Sequence, residues 1–203
     1  MKKIVIINHY GVTPDLAGST KHYDMAKHFA KKETHDVEFW MCGYNHKTGK
    51  NHPELNGIKI QSKKQEGKCS IVRIKSTPYR NNLILRQLNI VFFDIITTLK
   101  ILFSRDIEVL VLNVPPISIF NVWATKIKKI KLIVDVEDLW PLFLEEMGMR
   151  NKIAIKYMEK CSNYTYKKAD KIAAVSQGML EYVKDIVGME KKLWISPLGV
   201  NTA

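Results

Sequence analysis

The sequence predicts an α/β fold in which helices cover both faces of a doubly wound parallel β-sheet. Short apolar runs, typical of strands buried on both faces, occur at Lys3–Asn8, Glu108–Asn113 and Lys131–Val136. Gly or Pro residues follow each run, and a segment suited to a helix comes next. Strands and helices that alternate at this spacing indicate a Rossmann-like sheet, in which ligands bind beyond the carboxyl ends of the strands.

The first thirty residues form the clearest strand–loop–helix unit. The strand Lys3–Asn8 leads into the loop His9–Gly18, and the segment Ser19–Lys32 carries apolar residues at helical spacing. We expect Ser19 to cap this helix. Gly18 and Ser19 would then place backbone N–H groups at the positive end of the helix dipole, which suits a phosphate. The loop has neither the dinucleotide-binding glycine spacing nor a P-loop, so an ordinary unit without a ligand is the alternative.

The remaining elements continue the alternation. A helix is expected over Ile117–Lys128, and a helix-rich stretch before Lys168. Ser176 should cap another helix that ends at Gly188. A charged turn is expected at Glu66–Gly67. Further strands are predicted at Asp36–Cys42, Ile58–Gln61, Ile71–Lys75, Lys171–Val175 and Leu193–Ser196.

Motifs for metal binding and covalent catalysis are not found in the sequence. Gly43–Gly57 is expected to be a polar loop, and its His46 and His52 have no partners at metal-ligand spacing, so we expect both to be solvated. There is no G-x-S-x-G, H-E-x-x-H or C-x-x-C motif. The cysteines are odd in number and fit free thiols in a reducing compartment; they are Cys42, Cys69 and Cys161.

The most apolar segment, Leu83–Phe103, is predicted to be an amphipathic helix. Polar and charged residues interrupt it, so it should not span a membrane. Those residues fill about half of a helical wheel; they are Arg86, Gln87, Asn89, Asp94, Thr97, Thr98 and Lys100. The opposite half is expected to pack on the core; it holds Ile84, Leu85, Leu88, Val91, Phe92, Ile95, Ile96, Leu99, Leu102 and Phe103. Four apolar residues fall on the polar half and would contact lipid or a neighbouring helix: Leu83, Ile90, Phe93 and Ile101.

The formal net charge of the chain is +12, from 32 basic and 20 acidic residues. This excess suits an anionic membrane surface, a polyanion, or simply a lysine-rich proteome. No nucleic-acid recognition motif accompanies the charge, so nucleic acid is not an expected partner. Four apolar residues after Lys2-Lys3 are too few for a signal peptide, and a cytoplasmic location is expected.

The densest acidic cluster stands where the strand Lys131–Val136 leaves the predicted sheet. Asp135, Glu137 and Asp138 are close in sequence, and like charges raise one another's pKa, which would prepare one carboxylate to act as a base. The alternative is that these acids cap the next helix and pair with lysines. Trp140 offers an aromatic wall beside the cluster, and Asn113 marks the exit of the neighbouring strand.

Five stretches resemble, in order along the chain, the N-terminal half of family 4 glycosyltransferases of the GT-B fold. The resemblance is to the bacterial enzymes that build lipid-linked O-antigen and capsule sugars, of the L-fucosamine transferase type. The DLWP segment and the run AGSTKHYD are the more specific parts. The matching stretches are Asn8–Phe29, Thr77–Asn82, Asp135–Pro141, Tyr166–Met179 and Pro197–Asn201.

The resemblance implies that residues 1–203 form the acceptor-side domain of a retaining, metal-independent enzyme that uses a nucleotide-sugar as substrate and needs no cofactor. The acceptor would be a lipid-linked saccharide at the inner face of the cytoplasmic membrane, and an anionic membrane would be in peripheral contact. Asp138 and Glu137 would be catalytic. The loop near the donor phosphates would be Ala17, Gly18, Ser19 and Thr20. Residues that line the acceptor cleft would be His9, Tyr10, His22, Asn113, Asp135, Trp140 and Ser176.

The sequence departs from the family in three places. Glu137 stands where His or Arg is common, Leu142 where Glu is common, and Pro197–Asn201 reads PLGVN rather than PNGVD. The donor-binding domain of the family does not follow in these 203 residues. The alternative function is therefore a non-catalytic interaction subunit of a split transferase, which would need a separate donor-binding chain.

Overall fold

A computed structural model describes residues 2–16, 18–45, 47–57, 59–80, 82–188 and 192–198 of the chain. Its helices are α1 (Lys21–Lys31), α2 (Leu83–Phe103), α3 (Ile119–Lys128), α4 (Leu142–Glu146), α5 (Lys152–Lys168) and α6 (Gln177–Val187). Its strands are β1 (Lys3–Asn8), β2 (Asp36–Cys42), β3 (Tyr44–Asn45), β4 (Lys50–Asn51), β5 (Gln61–Glu66), β6 (Cys69–Ile74), β7 (Ile107–Val114), β8 (Lys131–Val136), β9 (Lys171–Ala174) and β10 (Lys192–Ile195).

Eight of these strands form one sheet in the order β10-β9-β8-β7-β1-β2-β6-β5. Every neighbouring pair is parallel except β5 and β6, which form an antiparallel hairpin around Gly67. The strands β3 and β4 form a separate two-stranded hairpin. Because β1 pairs with β2 on one side and with β7 on the other, the strand order reverses between β1 and β7. Ligands in sheets of this type bind at that reversal.

Helices pack on both faces of the sheet, as a doubly wound sheet requires. Alternate residues of β1 point to opposite faces: Ile6 joins the apolar layer under α1, whereas Val5 and Ile7 join the layer on the other side. That second layer contains residues of α2, α3, α5 and α6. The predicted Rossmann-like α/β fold is therefore confirmed.

Several predicted bounds are wrong. The predicted strand at Ile58–Gln61 begins only at Gln61, and Ile58 lies outside the described residues. The loop expected over Gly43–Gly57 contains β3, β4 and a short 3₁₀-helix at Pro53–Leu55. Strands of two residues carry too little periodicity to be recognised in a sequence. Ser19 does not cap α1, because the helix begins at Lys21 and Thr20 is its N-cap.

The faces of α2 are reversed relative to the prediction, although the helix has the predicted bounds. Ile90, Phe93 and Ile101 are buried, and so are the polar residues Asn89 and Asp94. The residues that are instead exposed form the outer apolar face: Ile84, Leu85, Leu88, Val91, Phe92, Ile95, Leu99 and Phe103. No helix in the described part of the chain has the length and hydropathy of a membrane span.

The buried polar residues of α2 are paired with one another and with α3, which explains the reversal. Thr98 Oγ1 donates to Oδ1 of Asn121, and Asn121 Nδ2 donates to Oγ1 of Thr97, both at 2.9 Å. Asp94 accepts from the hydroxyl of Ser118, the residue before α3. Once satisfied in this way, polar groups can be buried without a large desolvation penalty. A helical wheel treats every polar residue as solvated and therefore assigns the wrong face to the core.

Glu38 stabilises the edge of the sheet near β5. Its carboxylate accepts from Trp40 Nε1 at 2.7 Å and pairs with Lys3 at 3.1 Å and with Lys63 at 2.9 Å. Burial alone would raise the pKa of Glu38, but these three donors lower it from 4.5 to about 2.

Replacing Glu38 by glutamine should lower the free energy of unfolding at pH 7 by about 3 kcal/mol, the equivalent of this change in pKa. Because the pKa is lower in the folded state, the stabilisation is present above pH 4.5 and is lost as the pH falls towards 2. Urea unfolding of both proteins at pH 7 and pH 3 measures the difference. Glu33→Gln is the control, because Glu33 is exposed. A difference of equal size at both pH values would contradict the prediction.

Candidate active site

The candidate site lies where β1, β7 and β8 end at the same edge of the sheet. Asn8 is the last residue of β1, and Asn113 and Asp135 pair in register near the ends of β7 and β8. The N-terminus of α1 also lies at this edge, because the helix that follows a strand of a parallel sheet begins near the carboxyl end of that strand. The reversal of strand order between β1 and β7 makes this edge the expected crevice.

A buried charged cluster occupies the centre of this edge. Lys21 Nζ lies 2.7 Å from Oδ2 of Asp135, and His22 Nε2 lies 3.0 Å from the same oxygen. The side chains of His22 and Asp135 are each 1% exposed, and that of Lys21 is 6% exposed. Lys21 Nζ also lies 3.9 Å from Oε1 of Glu137 and donates to the carbonyl oxygen of Ser196 at 3.1 Å. The ammonium group of Lys21 thus joins α1, β8 and the segment after β10.

The orientation of His22 is set by Asn8. The amide oxygen of Asn8 accepts the backbone N–H of Tyr10 at 2.9 Å, so its Nδ2 faces Nδ1 of His22 at 3.0 Å. An amide NH₂ is a donor, and Nδ1 of His22 must therefore be the acceptor. In a neutral ring the proton is then on Nε2, which lies 3.0 Å from Oδ2 of Asp135.

The carboxyl groups of the cluster do not behave as the sequence predicted. Burial alone would raise the pKa of Asp135, but the neighbouring ring of His22 and, after it, the ammonium of Lys21 hold the pKa below its usual range. The expected mutual raising of pKa values is therefore wrong for Asp135. The pKa of Asp138 is raised, and the cause is burial rather than a neighbouring carboxylate. Asp135 is thus suited to hold its neighbours in place, and Asp138 is better suited to accept a proton.

The glycine loop leads directly into α1. Gly18 has φ +156°, and a Cβ on it would lie 3.0 Å from both methyl carbons of Val12. A side chain at this position would therefore push the loop off its support. Ser19 is exposed, and the hydroxyl of Thr20 donates to Asp24 at 2.6 Å. Ala17, a further predicted loop residue, lies outside the described residues.

His9 and Tyr10 are held against α2 on the other side of β1. His9 Nε2 lies 2.8 Å from Oδ1 of Asn89, and the hydroxyl of Tyr10 accepts from Arg86 at 2.9 and 3.0 Å. Both residues line a cavity of about 260 Å³ beneath the β3–β4 hairpin, which we call the hairpin cavity. It is also lined by Gly11, Val12, Leu16, Met41, Cys42, Gly43, Tyr44, Asn45, Thr48, Lys50, Asn51, His52, Pro53 and Arg73.

The remaining predicted residues lie at the same edge but outside the charged cluster. Asn113 is buried, and its Nδ2 has no hydrogen-bond partner among the described residues. Trp140 is partly buried, and its carbonyl oxygen accepts from Ser162 at 2.8 Å. Ser176 is exposed after β9 and accepts from the N–H of Met179 at 3.4 Å, which is the cap predicted for α6.

His22, Asp135 and Glu137 also offer three potential metal ligands, whose atoms lie within 4.8 Å of one another. These three residues show no metal-ligand spacing in the sequence, because they come from α1 and from the end of β8. The ammonium group of Lys21 already lies between the carboxylates, so a divalent cation would have to displace it. The residues therefore fit a cluster neutralised by lysine better than a metal centre.

Lys21 is the functional residue that sequence reasoning missed. It stands 114 residues before Asp135 in the sequence, so their pairing could not be read from sequence spacing. Its position beside His22 was the available signal, because His22 lies on the apolar face of the helix and Lys21 begins the turn that faces the sheet edge. A lysine that is almost fully buried is rare unless it is paired.

Several solved structures are similar in fold to this chain. Sucrose-phosphate synthase from Thermosynechococcus elongatus matches with a TM-score of 0.61 and 11% identity, over 99% of this chain and 49% of that protein. HepE from Anabaena, solved with UDP and glucose, matches at 0.58 and 12%, over 99% and 45%. A UGT transferase from Siraitia grosvenorii, solved with UDP, matches at 0.51 and 11%, over 100% and 53%. The chain thus spans about half the length of these proteins.

These structures show that the chain has the same fold as one half of each of these proteins. The family model described as Glycosyltransferase Family 4 matches residues 21–203. The chain belongs to this family. No match was found among curated proteins.

Proposed function

We propose that this chain is the acceptor-side domain of a retaining, metal-independent glycosyltransferase that takes its sugar from a nucleotide-sugar. The observation that carries the proposal is the family match together with a buried, charged crevice at the strand reversal. The donor-binding half would belong to the complete enzyme, since the matched structures are about twice as long. The acceptor would be a lipid-linked saccharide in the synthesis of a bacterial surface polysaccharide, such as O-antigen or capsule, as in the fucosamine-type enzymes that the sequence resembles.

The proposed roles follow from burial and charge. Asp138, with its raised pKa, would orient or deprotonate the acceptor hydroxyl, and Glu137 would assist. The backbone of Gly18 and Ser19 at the start of α1 would approach the donor diphosphate. Lys21 would hold Asp135 and the N-terminus of α1 in place.

The complete enzyme tests this function directly. Incubated with a panel of UDP- and dTDP-sugars and with detergent extracts of lipid-linked saccharides, it should extend one acceptor. The new linkage should keep the anomeric configuration of the donor, as measured by NMR. Treatment with EDTA should leave turnover unchanged. Hydrolysis or transfer with inversion, or full loss of activity in EDTA that added Mg²⁺ restores, would refute the corresponding part of the proposal.

The outer apolar face of α2 supports peripheral binding to an anionic membrane at the cytoplasmic side. Eight large apolar side chains are exposed on it, and the neighbouring helix α3 exposes Phe120, Trp123 and Ile127. Monomeric proteins rarely expose so large an apolar patch without a partner. A helix of this kind lies in the membrane plane, and the net charge of +12 adds attraction to anionic lipids.

Replacing Leu88 and Phe92 by glutamate should weaken binding to vesicles of phosphatidylglycerol and phosphatidylethanolamine by about tenfold or more. Co-sedimentation measures the bound fraction. The control is Ile60→Glu with Gln61→Glu, which makes the same change in charge at exposed positions outside this face. Ile90 and Phe93 are unsuitable for the test because both are buried. Equal binding by both double variants would contradict membrane contact through α2.

The same exposed face supports the alternative that the chain is a non-catalytic interaction subunit of a split transferase. In that case a separate donor-binding chain would cover part of the exposed surface. The mass of the native complex, measured on protein from the source cells, distinguishes the two functions. A single polypeptide near twice 23.4 kDa favours the complete enzyme, whereas a 23.4 kDa chain bound to a second polypeptide favours the split transferase.

A further inference from the structure

The hairpin cavity lies at the same edge of the sheet as the charged cluster. The exit of β1 separates the two: Asn8 contacts His22 on one side, and His9, Tyr10 and Gly11 line the cavity on the other. The cavity is open to solvent under the β3–β4 hairpin and has a volume of about 260 Å³. This volume suits a ligand of about one sugar ring with its substituents.

The walls of the cavity combine apolar side chains with two aromatic rings that are fixed in position. Val12, Leu16 and Met41 provide the aliphatic surface. The ring of Tyr44 packs against Tyr79 with centroids 4.7 Å apart, and its hydroxyl accepts the N–H of Arg80 at 2.8 Å. Tyr10 is held by Arg86, as described above. Rigid tyrosines give a ligand apolar contact area at little entropic cost.

The polar atoms of the cavity fit a hydroxyl group better than an anion. Nε of Arg73 and Oδ1 of Asn51 are buried and have no hydrogen-bond partner among the described residues. One of these atoms is a donor and the other an acceptor, which matches the hydroxyl group, since a hydroxyl both accepts and donates. A phosphate only accepts, so it would leave Asn51 Oδ1 unpaired.

The charge inside the cavity is already balanced. Arg73 Nη1 donates to Glu54 at 3.0 Å, and Nη2 donates to the hydroxyl of Thr13 at 3.2 Å. Burial and the charge of Arg73 lower the pKa of His52, which disfavours the charged form of its ring. Lys50 is exposed at the rim. A buried anion would therefore find no free counter-charge at the inner end.

We propose that the hairpin cavity binds an uncharged sugar ring of the acceptor through its hydroxyl groups. This inference rests on the proposed function, and it names the part of the acceptor that this domain holds: a neutral sugar rather than the diphosphate. The ring would pack on Met41 and the tyrosines, and its hydroxyls would reach Arg73 and Asn51. A site of this kind would discriminate strongly against an analogue that lacks the paired hydroxyl.

The 203-residue chain with ¹³C-methyl methionine allows a direct test by NMR. Met41 lines the cavity and Met158 lines a separate cleft between α2 and α5, so the methyl signals report on location. The probes are the methyl glycosides of glucose, galactose and N-acetylglucosamine, with inorganic diphosphate as the anionic comparison. At least one glycoside should shift the Met41 signal with saturation at about 1–10 mM. The spectrum of Met41→Leu assigns the signal.

A pair of hairpin variants provides the control. Thr48→Trp fills the mouth of the cavity and should weaken the saturable shift at least tenfold, whereas Lys47→Trp, on the same hairpin but outside the lining, should preserve it. The inference is overturned if none of the three glycosides shifts Met41, or if diphosphate shifts it at lower concentration than any of them. The titration needs neither the sugar donor nor turnover. A negative result would therefore overturn this inference without refuting sugar transfer, which the assay of the complete enzyme tests separately.

Discussion

Replacing Lys21 by methionine should lower the free energy of unfolding by about 3–5 kcal/mol, the range for removing one partner of a buried ion pair. The carboxylate of Asp135 is 1% exposed and would lose the cation that lies 2.7 Å away. Urea unfolding at pH 7 measures the loss. Lys27→Met is the matched control on the same helix, because Lys27 is about one third exposed and pairs with Glu66; it should change stability by less than about 1 kcal/mol.

The double variant Lys21→Met/Asp135→Asn tests whether the loss of stability comes from the broken ion pair or from altered packing. Once the buried charge of Asp135 is removed, about half or more of the lost stability should return, since coupled residues are not additive. The pKa of Asp135 is lowered in the folded protein, so its contribution is present above the unfolded value of 3.8 and is lost as the pH falls below it. The pair assignment would be wrong if the two single losses simply added in the double variant.

Asp138→Asn should lower kcat of the complete transferase by about 10²–10⁴-fold, the usual contribution of a positioned general base. KM for the nucleotide-sugar should change little, because the role proposed for this side chain is on the acceptor. Burial raises the pKa of Asp138. As the pH is lowered, the activity of the unaltered enzyme should therefore begin to fall at a higher pH than it would with a free carboxyl of pKa 3.8. Initial rates across the pH range measure both effects.

Glu146→Gln serves as the control for that measurement, because Glu146 is an exposed acid on α4 close by in the sequence. It should leave kcat unchanged. If Asp138→Asn retained full turnover while Glu137→Gln lost it, the base would be Glu137, and full turnover in both would remove the acidic segment from the chemistry.

The strands could be predicted well because their signal is local. β1, β2 and β8 have the predicted bounds, since each is an apolar run that ends at turn residues. The α2 helix shows the limit of this reasoning, because its length was correct and its buried face was not. The burial of Asn89, Asp94 and Thr97 depends on partners in loops and in α3, and the sequence does not reveal such pairing.

The candidate site divides in the same way. Asp135 was a candidate because it lies at the end of a predicted strand, where ligands bind, and His22 was a candidate only through the resemblance to the family. The lowered pKa of Asp135 could not be predicted, since the groups responsible, His22 and then Lys21, are more than one hundred residues away in the chain. The hairpin cavity was also missed, because it depends on two-residue strands within an apparent polar loop.

The side chain of Asn8 connects the two parts of the crevice at the edge of the sheet. Both ends of its side-chain amide make a hydrogen bond: Oδ1 accepts from the backbone N–H of Tyr10, and Nδ2 contacts Nδ1 of His22. An amide rotated by half a turn would set donor against donor at Tyr10, so only one orientation satisfies both contacts. The side chain of Asn8 therefore links the backbone at Tyr10, beside the hairpin cavity, to the orientation of the His22 ring in the charged cluster.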